Sequence, residues 1–162
     1  MISMTLEGGK QLEAKLLGLE RKVAKKIVRS AVRAGSKPIL SAAKANAQSI
    51  VGGTMGGTIA RSLQVRAMKK QRRSQYAVKI QHSEKANDQL VHIAASGERE
   101  YIPNAIEYGH AAPGRGGGKN SPKDVPSRPY MRPAFDSSKG SAEQAVRTEL
   151  LGGIERAYNS GG

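Results

Sequence analysis

Cysteine is absent from the 162-residue sequence, which excludes disulfide staples, thiol nucleophiles and cysteine-ligated zinc together. Tryptophan is also absent, and five Tyr and one Phe are the only aromatic residues, so the large rings that usually dominate core and interface burial are nearly missing. A core of small side chains, or one completed by neighbouring subunits, is expected. No run of about 18 apolar residues is present, and Met1 to Gly9 lack the basic start and apolar stretch of a secretory signal. The chain reads as a soluble protein of a reducing cytoplasm with no membrane partner.

Acidic residues are scarce in one half only. Residues 1–81 hold 17 basic and 3 acidic residues, whereas residues 82–162 hold 10 of each, so the whole net charge of +14 lies in the first half. Such an asymmetry points to an acidic partner such as nucleic acid, an anionic membrane or an acidic protein surface, against the plainer reading of a solvated basic helix face.

The length suits one domain spanning 1–162. From Lys10 to Arg33, Leu12, Leu16, Leu19, Val23, Ile27 and Ala31 recur at spacings of three and four, predicting an amphipathic helix. Gly35 and Pro38 interrupt it, and an alanine-rich helical segment resumes to about Ile50, giving a second helix or one long kinked helix. Val51 to Gly57 carries four glycines and is expected to be a flexible loop. Leu63, Val65 and Ala67 alternate with polar residues, as do Tyr76, Val78 and Ile80, predicting two antiparallel strands joined by the basic run Lys69-Lys70-Gln71-Arg72-Arg73. Gln89 to Ala95 is a weaker third strand, and Tyr101 to Gly109 a short helix stopped by Gly109. His110 to Arg128, rich in glycine and proline, is a second expected flexible segment, and a last helix is predicted from Ser141 to Tyr158. The class is α+β: long N-terminal helices and a C-terminal helix packed on a small antiparallel sheet.

No catalytic pattern stands out. Pro113 to Asn120 superficially resembles a phosphate-binding loop, but Pro113 stands where glycine is required and Asn120 where Ser or Thr is required. His82, His92 and His110 lack the spacing of a metal site, no serine lies in a nucleophile elbow, and nothing fixes Glu98, Glu100 and Glu107 for acid–base work. No enzyme activity, cofactor or metal is expected. Lys69, Lys70, Arg72 and Arg73 at a hairpin tip are candidate contacts to duplex DNA or an acidic partner, the alternative being a solvated turn.

Three ordered stretches carry a resemblance. They are the basic helix running into Val32-Arg33-Ala34-Gly35-Ser36-Lys37-Pro38-Ile39 and Ala42-Ala43-Lys44-Ala45; Ile106-Glu107-Tyr108-Gly109; and Arg128-Pro129-Tyr130-Met131-Arg132-Pro133-Ala134-Phe135. Together they resemble the phage tail-component family typified by gene product ten of the siphophage Hong Kong 97. Gly56 to Leu63 departs from that family's pattern, keeping Gly57, Arg61 and Ser62 but losing a threonine and two basic residues.

The resemblance implies a structural virion protein of the neck, a ring of six or twelve copies that completes the tail or joins head to tail, assembled in the host cytoplasm beside head-closure or tail-terminator proteins. The runner-up is a non-specific, basic DNA-binding accessory protein. Glu107, Tyr108, Gly109, Arg128, Pro129, Arg132 and Pro133 are the candidate interface or structural residues. Pro129 and Pro133 predict an extended path into the last helix, and a pairing of Arg128 or Arg132 with Glu107, against independent exposed arginines, would join the second and third stretches.

Overall fold

The computed structural model describes residues 9–68, 76–93, 97, 99–109 and 125–160. Among them the order is α1 (Gly9–Leu17), α2 (Arg21–Asn46), a π-helical turn (Ala47–Val51), α3 (Gly53–Ser62), β1 (Leu63–Ala67), β2 (Val78–His82), a 3₁₀ turn (Glu84–Ala86), α4 (Asn87–Leu90), β3 (Val91–Ile93), β4 (Arg99–Tyr101), α5 (Ile102–Tyr108) and α6 (Met131–Asn159). The chain is predominantly helical, with two two-stranded antiparallel sheets, β1–β2 and β3–β4, in place of a single small sheet. The α+β class holds.

Two compact units are distinguished, each made of separate chain segments. The first comprises residues 1–40, 65–80 and 137–162. Its core gathers Leu12, Leu19, Ile27, Ile154 and Ala157, with Leu16, Val23, Ala24 and Leu150 packed against them. The chain breaks at Gly18 to Glu20, not at Gly35 to Pro38. A helix end leaves carbonyls without partners; here the Tyr158 hydroxyl donates to the Lys15 carbonyl at 3.3 Å, while Leu19 N–H turns to Leu16 O at 3.2 Å.

Gly35 and Pro38 lie inside an unbroken α2. In this unit α2 and α6 pack antiparallel through reciprocal notches. A Cβ at Gly35 would collide with Val146 Cγ2 and lie 3.1 Å from the carbonyl oxygen of Ala142, and one at Gly153 would lie 2.7 Å from Ile27 Cγ2. Burial of these contacts holds a helix that local propensity alone would interrupt.

The second unit comprises residues 41–64 and 81–136, with Ala43, Ala47, Ile59, Ala60, Leu63, Leu90, Tyr130 and Ala134 buried. Val51 to Gly57, expected as a flexible loop, belongs to the π-helical turn and the start of α3. The glycines make the reversal possible. Gly52 and Gly53 adopt φ of +71° and +55°, and a Cβ at Gly56 would lie 2.5 Å from the Ala47 carbonyl oxygen that the returning helix approaches.

The antiparallel β3–β4 register pairs Val91 with Tyr101, His92 with Glu100 and Ile93 with Arg99. The last helix begins ten residues before the expected Ser141. Pro133 occupies its third position, where the missing N–H would have had no helical partner, so the extended path ends before Met131.

Candidate functional site at the start of the C-terminal helix

In the second unit, Glu107 on α5 meets the first turn of α6. Its Oε2 accepts the backbone N–H groups of Tyr130 at 2.8 Å and Met131 at 3.0 Å, and its Oε1 accepts that of Arg132 at 3.1 Å. These donors open the helix and have no helical acceptor, and the carboxylate opposes the positive end of the helix dipole. The second and third sequence stretches are therefore joined, but through backbone amides; no ion pair of Glu107 with Arg128 or Arg132 occurs among the described residues. Arg128 contributes its own N–H to Ile106 O at 2.8 Å, and its guanidinium lies 3.5 Å from Val51 O. Gly109 ends α5 with φ of +75°, and a Cβ there would lie 2.8 Å from Val125 O, so the chain entering the third stretch runs against it.

Tyr130 is held at every polar atom. Besides its N–H on Glu107, its carbonyl accepts Asn46 Nδ2 at 3.1 Å, and its hydroxyl lies 2.9 Å from His82 Nε2. His82 Nδ1 lies 2.6 Å from Ser62 Oγ, which donates to Ile59 O at 2.7 Å. The arrangement that gives every proton an acceptor places hydrogen on Nδ1, donating to Ser62, and lets the Tyr130 hydroxyl donate to Nε2. Burial lowers the His82 pKa and so favours this neutral ring. Burial raises that of Tyr130 well above the usual phenol range, with the Glu107, Tyr101 and Tyr108 charges adding to it, which keeps the hydroxyl a donor. Tyr101 packs edge-on to His82 at 5.9 Å between ring centroids.

The Ser62–His82 contact superficially resembles a nucleophile and its base, but the roles are reversed. A base would take the serine proton. Here that proton goes to Ile59 O and the imidazole donates, while Ser62 is 4% exposed and Tyr130 2%. The cluster fastens β2 and the end of α3 to α6. A shallow groove lies in the first unit, flanked by Ala34, Gly140, Ser141, Ala145 and Thr148. It contains neither the serine nor the histidine.

Residues 10–109 match the family described as "Bacteriophage HK97-gp10, putative tail-component". The chain belongs to this family. Comparisons with curated proteins and with solved structures give no match. The family is structural and assigns the protein to the phage virion as a tail component. The matched segment of this tail component ends at Gly109, so Glu107 lies within it and the Arg128 to Phe135 stretch beyond it. The carboxylate inside the matched segment thus positions a helix outside it.

Of the remaining sequence candidates, Tyr108 is 70% exposed, Arg132 is exposed, and Pro129 and Pro133 are half-buried. Lys69, Lys70, Arg72, Arg73, His110 and Glu98 lie outside the described residues, as does most of His110 to Arg128. Among the described residues no helix is long and apolar enough to cross a membrane, and no cluster of three metal-ligating side chains occurs. Spacing alone marks His82 only as a histidine outside any metal-site pattern. The signal was present in the period-two alternation: His82 shares its face of β2 with Val78 and Ile80.

Proposed function

We propose that this tail component is a ring-forming joint of the phage neck, a head–tail joining or tail-completion subunit that works by assembly and not by catalysis. The observation that carries the reading is how Glu107-Tyr108-Gly109 is used. Glu107 and Gly109 are committed to placing the start of α6, whereas Tyr108, between them, is left 70% exposed on a short helix fixed by that anchoring. A rigidly mounted exposed aromatic is a suitable anchor for a neighbouring subunit, because its burial brings large apolar area at small entropic cost. Family membership supports the virion setting.

A cyclic assembly uses two different patches of each subunit and closes when the rotation per copy fits. Six copies, or twelve, would form the ring, with head-closure or tail-terminator proteins as neighbours. Native mass measurement of the full chain, alone and mixed with neck proteins, tests the reading together with antibody labelling of intact virions. A ring mass and labelling at the neck are expected. A strictly monomeric protein absent from virions would overturn it.

A further inference from the structure

Much of the basic charge of the chain lies along α2, whose residues up to Leu40 belong to the first unit. Helix α2 carries eight basic and no acidic residues along its 26 positions. Lys22, Lys26, Arg29, Arg33 and Lys37 follow one another at spacings of four, three, four and four, and all five are exposed. At 3.6 residues per turn they fall within an arc of about 80°, and at 1.5 Å per residue they span about 22 Å. Ile27, Ala31 and Gly35 on the same helix are buried, so the basic stripe and the packed face are separate.

The middle of the stripe is organised. Tyr76 presents its ring to Arg29, whose guanidinium carbon lies 5.6 Å from the ring centroid, and its hydroxyl to Arg33, whose Nε donates at 3.1 Å. That bond uses Nε and leaves the terminal amino groups of Arg33 as further donors. Among the described residues Glu149 reaches this part of α2 through Ser30 at 2.7 Å, and it is also engaged by Arg156 at 3.5 Å.

We propose that this face of α2 is a docking surface for the phosphate backbone of duplex DNA. A single-sign stripe about 22 Å long matches the axial length of roughly six or seven base pairs, over which the duplex offers phosphates on both strands. Two arginines restrained by one tyrosine lose less freedom on binding than free side chains would. Among the described residues the one ring at the stripe, Tyr76, is taken up by Arg29 and Arg33, so no free aromatic platform for stacking single-stranded bases accompanies it, and the row of like charges is of the kind that contacts phosphates. The proposal rests on the charge and geometry of α2 and on its contacts with Tyr76; it stands or falls separately from the assignment to a neck ring.

The test is fluorescence anisotropy of the full-length protein with a 30-base-pair duplex of arbitrary sequence across a salt series. Five phosphate contacts predict a log–log slope near −4.5, hence a loss of affinity of about 500-fold between 50 and 200 mM salt. The variant carrying Gln at Lys22, Lys26, Arg29, Arg33 and Lys37 is expected to lose that binding and flatten the slope. A charge-matched control carrying Gln at Lys79, Lys85, Arg99, Lys139 and Arg147, all exposed and off the stripe, is expected to keep most of it. Circular dichroism checks that both variants remain helical, and single neutralisations, each expected to lower the slope by about 0.9, give the same answer if the multiple variant does not fold. Three results would overturn the proposal: no binding by the unaltered protein at 50 mM salt, which would leave the face to an acidic protein; equal loss in the control; or unaltered binding by the stripe variants with loss confined to a variant neutralised at Lys69, Lys70, Arg72 and Arg73.

Discussion

The Glu107 carboxylate accepts the backbone N–H of Tyr130 at 2.8 Å, and with it the next two amides of α6. A charged acceptor that satisfies three helix-opening donors is worth more than a single neutral cap. Replacing Glu107 by Ala is expected to cost about 2–3 kcal/mol, which for a chain of this size lowers the melting temperature by roughly 4–12 °C. Glu107→Gln keeps one oxygen as acceptor and falls between the two. Amide exchange at Met131 and Arg132 separates this mechanism from a general weakening, since it rises first at those positions if the cap is what was lost.

Gly35 and Gly140 make opposite predictions for the same change. Glycine in a helix interior usually loses about 0.5–1 kcal/mol relative to alanine. A Cβ at Gly140 meets nothing within 4 Å, so Gly140→Ala stabilises by about that amount. A Cβ at Gly35 collides with Val146, so Gly35→Ala destabilises by about 1–3 kcal/mol. Urea unfolding of Gly35→Ala with and without Val146→Ala checks the cause; the pair should be non-additive, with the second change relieving the first.

These two glycines show why part of the fold is legible in the sequence and part is not. The spacing of Leu12 to Ala31 and the alternation at Leu63 to Ala67 are local patterns that burial on one face imposes, and both reappear as elements. The break at Gly18 to Glu20 depends on Tyr158, and the continuity of α2 through Gly35 and Pro38 depends on Val146 and Ala142, partners more than 100 residues away. Breaker residues carry no record of such partners. At the site, Glu107 and the Arg128 to Phe135 stretch stand out as motifs, and their joining follows from chemistry; that the donors are amides does not, because every residue has one. His82 was recoverable from its strand phase, and its link to Tyr130 was not.

The neutral His82 ring makes stability depend on pH in a definite direction. Its folded-state pKa lies below the ordinary value of 6.5, so between the two the unfolded chain binds the extra proton. Stability from this group is complete above pH 6.5 and is lost progressively as pH falls through the folded-state pKa. Urea midpoints measured from pH 8 to pH 5 are expected to decline over that window. In His82→Gln the corresponding part of the decline should vanish, even though the variant starts lower. Tyr130→Phe removes the donor to Nε2 and leaves a half-buried acceptor, a cost of about 1–3 kcal/mol.

Tyr108 separates folding from assembly. At 70% exposure its side chain contributes little to the packing of its own unit, so Tyr108→Glu should change the melting temperature by no more than a surface substitution does, within about 0.5 kcal/mol. In a ring anchored through this residue the same change buries a carboxylate against a neighbour and abolishes closure. Sedimentation velocity at concentrations where the unaltered protein is a ring reads the difference directly: a folded monomer is the expected product. Glu107→Gln should behave in the opposite way, with reduced melting temperature and a ring that still forms at low temperature. If Tyr108→Glu assembles as well as the unaltered protein, the exposed aromatic is not the anchor and the interface lies on another face of the subunit.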